Sequence, residues 1–184
     1  MRVVGGIAKG RKLAQPAIPG ARPTSELIRG VIFNVLSSDI LEGARIVDLF
    51  AGTGSLGIEG LSRGATWADF VELNPRQCAV IRSNLESTGF CAQGRVHCKG
   101  VDRAEDVLEG SYRVALMDPP YKMMDLARVL ELLDQSRMME AEGMVVVGHS
   151  KRLELEERYG SLFLVRSRRH GDSVVDFFSV EGSR

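Results

Sequence analysis

Asp48-Leu-Phe-Ala-Gly-Thr-Gly-Ser-Leu-Gly57 is the stretch on which the fold turns. The apolar run Arg45–Phe50 reads as a buried strand and Ser55–Ser62 as a helix, so the glycines fall at the turn between them. Without a Cβ, Gly52 and Gly54 adopt backbone conformations closed to other residues and let a ligand approach the chain closely. Taken literally, Gly52-x-Gly54-x-x-Gly57 matches the dinucleotide fingerprint, with Glu72 about 18 residues beyond Gly54. The glycines alone therefore admit NAD as well as S-adenosylmethionine. Asp48 tips the reading toward S-adenosylmethionine, because a carboxylate just before the first glycine can address a cationic amino-acid end.

Outward from this turn the chain alternates. Strand Trp67–Glu72 leads to helix Pro75–Ser87, and strand Arg95–Cys98 to a short helix near Asp102–Leu108. Strand Arg113–Met117 precedes helix Met123–Leu133, and strand Gly143–Gly148 precedes a predicted helix over Lys151–Tyr159. Leu162–Ser167 and Val174–Val180 follow with no helix between them and read as an antiparallel pair. Upstream, Thr24–Ser37 reads as a helix with Leu27, Val31, Ile32, Val35 and Leu36 on one face. Pro16, Pro19 and Pro23 form a stiff linker, and residues 2–15 a small hairpin around Ala8-Lys9-Gly10. Strands separated by helices require right-handed crossovers and a parallel sheet covered on both faces. The expected fold is Rossmann-like α/β: a seven-stranded, mostly parallel sheet with helices on both faces, plus an amino-terminal β-hairpin arm. Residues 1–23 are the expected arm and linker, and 24–184 the main domain.

A second motif, Asp118-Pro119-Pro120-Tyr121, sits in the loop at the carboxyl end of the Arg113–Met117 strand, where open α/β sheets gather ligands. Two prolines fix φ and remove two backbone donors. What remains is a rigid clamp of acceptors beside an aromatic ring, suited to a planar group bearing –NH2. A capping Asp in an ordinary proline turn is the plainer alternative. Glu72, at the end of its strand, can accept both hydroxyls of a ribose, and Leu73 offers an apolar face for adenine. In the loop Gly100-Val101-Asp102 either Val101 or Asp102 occupies the position that would meet the adenine amine.

The 184 residues suit one domain with a sizeable core, and no apolar run approaches a membrane span. The amino terminus lacks the apolar stretch of a signal peptide. Cys78, Cys91 and Cys98 form neither an even set nor a C-x-x-C pair, which suits a reducing cytoplasm and argues against zinc. His97, His149 and His170 are scattered as surface or strand residues, and no metal is expected. Net charge is zero but unevenly spread. Arg2, Lys9, Arg11, Lys12 and Arg22 all precede the first acidic residue, Glu26. Arg166, Arg168, Arg169 and His170 form a second basic cluster. Both clusters are compatible with phosphate contacts and equally with solvated surface.

Taken together these motifs carry a resemblance. Phe50-Ala-Gly-Thr-Gly54 resembles the F-x-G-x-G motif of class I S-adenosylmethionine-dependent methyltransferases, and Asp118–Tyr121 the signature of those that modify an exocyclic amine. With Arg2–Leu13, Arg22-Pro-Thr24, Leu56–Ala65 and Arg169-His-Gly-Asp-Ser173, the chain is similar to the bacterial 16S ribosomal RNA (guanine(966)-N2)-methyltransferase family over Arg2 to about Phe178. His170 and Ser173 depart from the family's Arg-Tyr-Gly-x-Thr.

The resemblance implies methylation of guanine N2 in small-subunit ribosomal RNA; the substrate is free RNA or an assembling particle, and a cytoplasmic monomer is expected. It implies cofactor contacts from Asp48, Phe50, Gly52, Gly54, Glu72, Leu73, Val101 or Asp102, and Asp118. Catalysis would fall to Asp118, Pro119, Pro120 and Tyr121, and RNA contacts to the basic arm with Arg168 and Arg169. Adenine-N6 methylation of DNA or RNA, protein-glutamine methylation and a silent RNA-binding module are the rival readings. A target-recognition region typical of DNA enzymes has no room here, and the glutamine enzymes begin their motif with Asn.

Overall fold

The computed structural model describes residues 1–18, 24–120 and 125–182. Eight strands form one sheet: β1 (Arg45–Leu49), β2 (Trp67–Val71), β3 (Gly94–His97), β4 (Tyr112–Met117), β5 (Met139–Ser150), β6 (Arg158–Tyr159), β7 (Leu162–His170) and β8 (Ser173–Val180). Their order is β3-β2-β1-β4-β5-β8-β7-β6. The first five in that order are parallel; β5, β8, β7 and β6 pair antiparallel. Five α-helices accompany them: α1 (Glu26–Val35), α2 (Ser38–Leu41), α3 (Ser55–Ser62), α4 (Pro75–Thr88) and α5 (Leu126–Ser136).

Alternation along the strands builds two cores. Ile46, Phe70, Val114, Leu116, Val146 and Phe177 face one side with α1, α3 and α4, while Val47, Leu49, Val71, Ala115, Met117 and Phe178 face the other with α5. The α/β expectation is met, with one strand more than the seven predicted. The extra strand comes from the segment read as a helix over Lys151–Tyr159. Leu153 and Leu155 alternate with Glu154 and Glu156, a period of two rather than 3.6. The chain instead turns at Lys151 and pairs Arg158–Tyr159 with Phe163 and Leu162, while Tyr159 meets Phe178 edge-on at 5.9 Å.

The amino-terminal hairpin is present, and two further expectations are corrected. The hairpin is short, with one bridge, Arg2 to Lys12, and backbone bonds across it from the Val3 N–H to the Arg11 carbonyl, the Gly10 N–H to the Val3 carbonyl and the Leu13 N–H to the Met1 carbonyl, and it is also tied to α3. Glu59 of α3 accepts the Val4 N–H at 2.8 Å and the Gly5 N–H at 2.7 Å, and Ser62 Oγ accepts from Ala8 and donates to Gly5. Val3, Ala8 and Leu13 belong to the same core cluster as α1 and α3. The buried stripe of α1 is also displaced: Arg29, Ile32 and Phe33 are buried, whereas Leu27 is 54% exposed. The Arg29 side chain, fully enclosed between Glu59 and the Arg2 carbonyl, takes the position a purely apolar face would give to carbon. Finally, Cys78 on α4 and Cys98 after β3 are joined through their sulfurs, leaving Cys91 free. An odd cysteine count does not prevent one pair, and α4 lies directly against β3.

No helix among the described residues is long and apolar enough to cross a membrane.

Candidate active site at the carboxyl ends of β1 and β4

The chain leaves β1 toward β2 on one side and reaches β4 on the other, so the strand order reverses between β1 and β4. Crevices at such a point bind ligands in doubly wound sheets. The Asp48 loop and the Asp118 loop are neighbours there.

On the cofactor half, Phe50, Gly52 and Gly54 all have left-handed backbone, at φ 65°, 54° and 74°. For Phe50 this is an uncommon conformation of the kind that collects at functional loops. It is held by the Ala51 N–H on the Val71 carbonyl at 3.0 Å. Space above Gly52 is open, its nearest neighbour to an added Cβ being its own loop. Gly57 has another purpose: a Cβ there would collide with the Phe70 ring, so this glycine lets α3 lie close to β2. Glu72 receives the Gly52 N–H at 2.9 Å on one oxygen and the Asn74 N–H at 2.8 Å on the other. Its remaining lone pairs stay available to a diol.

Asp48 is 1% exposed and accepts the Gly57 N–H at 2.9 Å. The structure thus gives it a bracing role beneath the glycine loop. Burial pushes its carboxyl up to about 8, the Gly57 N–H pulls it down, and Asp118 and Glu72 add repulsion. Three carboxylates converge on one crevice, a donor set that fits a cationic ligand end. Leu73 is 71% exposed. Asp102 folds its carboxylate back over Gly100 on the side of Leu73, whereas Val101 packs toward the core. Between the two, Asp102 is the one placed beside Leu73.

On the acceptor half, Asp118 is half-buried and Pro119 buried, while Pro120 is exposed. Both prolines line a cleft with Leu126, Gly148, His149, Ser150 and Leu153. A Cβ on Gly148 would lie 2.6 Å from Asp118 Oδ1, so only glycine leaves that oxygen room. The Thr24 hydroxyl donates to Asp118 Oδ2. Burial raises the Asp118 carboxyl above its ordinary range and the Thr24 hydroxyl opposes that rise. Tyr121 lies outside the described residues, so its stacking role is an expectation only.

The two basic clusters fall at different heights. Arg11 donates to the Ser87 carbonyl at 3.1 Å, near the carboxyl end of α4. Fourteen residues of helix separate that point from the Glu72 end, about 20 Å at 1.5 Å per residue. Arg2 is spent on the Gly10 carbonyl at 2.9 Å; Lys9 and Lys12 are exposed; Arg22 lies outside the described residues. Arg168, in contrast, pairs through Val175 with Gly148, two strand spacings or about 10 Å from the acceptor loop. Arg166, Arg168 and Arg169 are all exposed there.

The family model described as "Conserved hypothetical protein 95" matches residues 1–179. The chain belongs to that family. It is 35% identical to "Putative rRNA methyltransferase YlbH" of Bacillus subtilis over 99% of this chain and 100% of that one. It is 30% identical to "Ribosomal RNA small subunit methyltransferase D" of Escherichia coli K12, over 80% of this chain and 73% of that one. A solved structure titled "Putative methyltransferase yhhF from Escherichia coli" superposes with a TM-score of 0.82 at 26% identity, covering 100% and 99% of the two chains. The fold is therefore that of the class I methyltransferases.

Within this family frame, residues that sequence reading did not assign to the site complete it. Thr24 and Gly148 flank Asp118 from either side, and neither neighbours it in sequence. His149 closes the cleft wall. Its Nε2 meets Asp176 at 2.9 Å and its Nδ1 the Ser150 carbonyl at 3.0 Å. Burial lowers the imidazole's proton affinity, but Asp176 and the Ser150 carbonyl prevail and raise it. The alternation of Val174, Asp176 and Phe178 in β8 was the one available signal, a carboxylate in an otherwise apolar strand.

Proposed function

We propose that this protein transfers a methyl group from S-adenosylmethionine to the exocyclic N2 of a guanine in 16S ribosomal RNA of the small subunit. The observation that carries the reading is the juxtaposition, at the switch point, of the Gly52–Glu72 cradle with the Asp118-Pro119-Pro120 wall. The small-subunit methyltransferase of Escherichia coli at 30% identity supports the substrate class.

When bound, S-adenosylmethionine supplies a methyl group on a cationic sulfur. Glu72 would take the ribose hydroxyls, Leu73 and Asp102 the adenine, and the Asp48 carboxylate the positive end, with Asp118 turned to the acceptor amine. Asp118 Oδ1 and the Pro119 carbonyl accept the two N–H groups of the guanine amine, aiming the nitrogen lone pair at the methyl carbon. Positioning of this kind lowers the barrier by removing orientational freedom before reaction. With the methyl group passing from sulfur to nitrogen, Asp118 or water would take the proton that the amine then sheds. The base must leave any helix to be reached. Tyr121 would stack on it.

Arg168 and Arg169, with Arg166, flank the acceptor cleft and would hold the phosphates next to the target nucleotide. Lys9 and Lys12 would touch a more distant part of the RNA, and Arg2, Arg11 and Arg22 would contribute mainly by holding or charging the arm. The protein acts in the cytoplasm, as a monomer.

The test is incubation of purified protein and methyl-labelled S-adenosylmethionine with small-subunit particles lacking the modification, followed by nucleoside mass spectrometry. Label in N2-methylguanosine is expected. Label in N6-methyladenosine would favour the adenine reading, and cofactor binding without any label would favour a silent RNA-binding module.

A further inference from the structure

Thr24 reaches Asp118 across 94 residues of sequence. Upstream of it, the described chain is pinned along α4 at Ala14 and Ala17 by two buried amides. Asn84 Oδ1 accepts the Ala14 N–H at 2.8 Å, and Gln77 Oε1 accepts the Ala17 N–H at 2.6 Å. Asn84 Nδ2 also donates to the Thr53 carbonyl at 2.9 Å, so the same side chain ties that segment to the glycine loop. Beyond Thr24, Ser25 caps α1 by accepting the Ile28 N–H at 3.2 Å. Thr24 is thus followed by a fixed helix start and faces the acceptor loop.

Asp118 is gripped from two directions. Its Oδ2 takes the Thr24 hydroxyl, and its Oδ1 lies against the bare backbone of Gly148. We propose that Thr24 is a positioning residue for methyl transfer, holding the Asp118 carboxylate in the one orientation that leaves Oδ1 to the acceptor amine. This rests on the reading of Asp118 as the amine acceptor. A hydroxyl that donates to one carboxylate oxygen fixes the carboxylate plane and favours its ionised form.

Other ionisable groups around Asp118 do not share this task. Asp48 on β1 is itself raised by the charges of Asp118 and Glu72, and its oxygen is turned to the Gly57 N–H; Glu72 at the end of β2 holds the Gly52 and Asn74 N–H groups. On β5, His149 is turned to Asp176 of β8. Thr24 is the hydroxyl that opposes the burial of Asp118.

The experiment compares Thr24→Val, Thr24→Ser and Asp118→Ala in the full chain. Methyl transfer to small-subunit particles is measured across pH at saturating S-adenosylmethionine, and cofactor affinity by calorimetry. Valine keeps the size of threonine and removes the hydroxyl. The expected result for Thr24→Val is a kcat lower by on the order of 10–100-fold, the loss of one hydrogen bond to a charged group. Its acid limb should move to higher pH, since the carboxylate loses its donor, while cofactor affinity stays unchanged. Thr24→Ser should restore rate and profile. Wild-type kcat and pH profile in Thr24→Val, or a loss of cofactor affinity in place of kcat, would overturn the proposal. An active Asp118→Ala protein would overturn the acceptor reading and this proposal with it; an inactive one beside an unaltered Thr24→Val overturns the proposal alone.

Discussion

Along the cofactor half of the ligand edge, Asp48, Phe50, Gly52 and Gly54 come from one short run, and the Glu72 carboxylate closes it through the Gly52 N–H at 2.9 Å. Along the acceptor half, Thr24, Asp118 and Gly148 come from three segments, with 94 residues between the first pair. The cofactor half supports itself with local bonds; the acceptor half depends on a helix start, a strand end and a proline loop meeting correctly. Damage to the first should therefore appear as lost binding, and damage to the second as lost rate.

The sharpest break between the halves is Asp118→Ala against Glu72→Ala. Asp118→Ala should lower kcat on small-subunit particles by on the order of 10²–10⁴-fold with cofactor affinity largely kept, as removal of a positioned acceptor does. Glu72→Ala should weaken cofactor binding by on the order of 10–100-fold in a calorimetric titration, the cost of losing a charged hydrogen-bonding partner. Equal effects of both variants on binding would erase the division.

Gly57→Ala probes the packing beneath the cofactor half. Its methyl would meet the Phe70 ring, so denaturant unfolding should show a loss of about 1–3 kcal/mol, in the range of overpacked sites. An unchanged midpoint would mean that α3 can shift without cost.

Asp48→Asn sharpens the electrostatic side. The buried Asp48 carboxyl titrates near 8 in the folded chain, far above its ordinary value of 3.8. The folded state therefore binds more protons than the unfolded one between those values, and stability contributed by the protonated form is lost as pH rises through that window. The variant, whose amide oxygen can still accept the Gly57 N–H, should show a flatter stability profile from pH 4 to 8 in the absence of cofactor. Parallel profiles would place the Asp48 titration elsewhere.

The smallest effects concern RNA. Paired alanine substitutions at Arg168 and Arg169 should reduce the slope of log affinity against log salt by about 2, and those at Lys9 and Lys12 by less. Their effect on methyl transfer should be ranked the same way, because the first pair lies beside the cleft and the second far down α4. A larger loss from the lysine pair would reverse this assignment.

What could be read from sequence follows the same division. The β1–α3 turn, the parallel core and the Asp118 loop all carry their signal within a few residues, and each is where the sequence puts it. Thr24 and Gly148 show nothing of their partner in their own neighbourhoods. The basic arm and the basic hairpin look alike in composition, yet Arg2 and Arg11 hold backbone carbonyls while the β7 arginines are exposed near the cleft. The Leu153–Tyr159 segment misled because charged residues in helix-forming company outweighed a two-residue alternation. The Cys78–Cys98 pair was hidden because pairing depends on how α4 lies on β3, which a count cannot express.

The most direct test of the account is nucleoside mass spectrometry of 16S ribosomal RNA from cells deleted for this gene and complemented with the wild-type or the Asp118→Ala chain. The account predicts that one N2-methylguanosine disappears on deletion, returns with the wild-type chain and stays absent with the variant. Unchanged N2-methylguanosine on deletion, or its full return with Asp118→Ala, would contradict it.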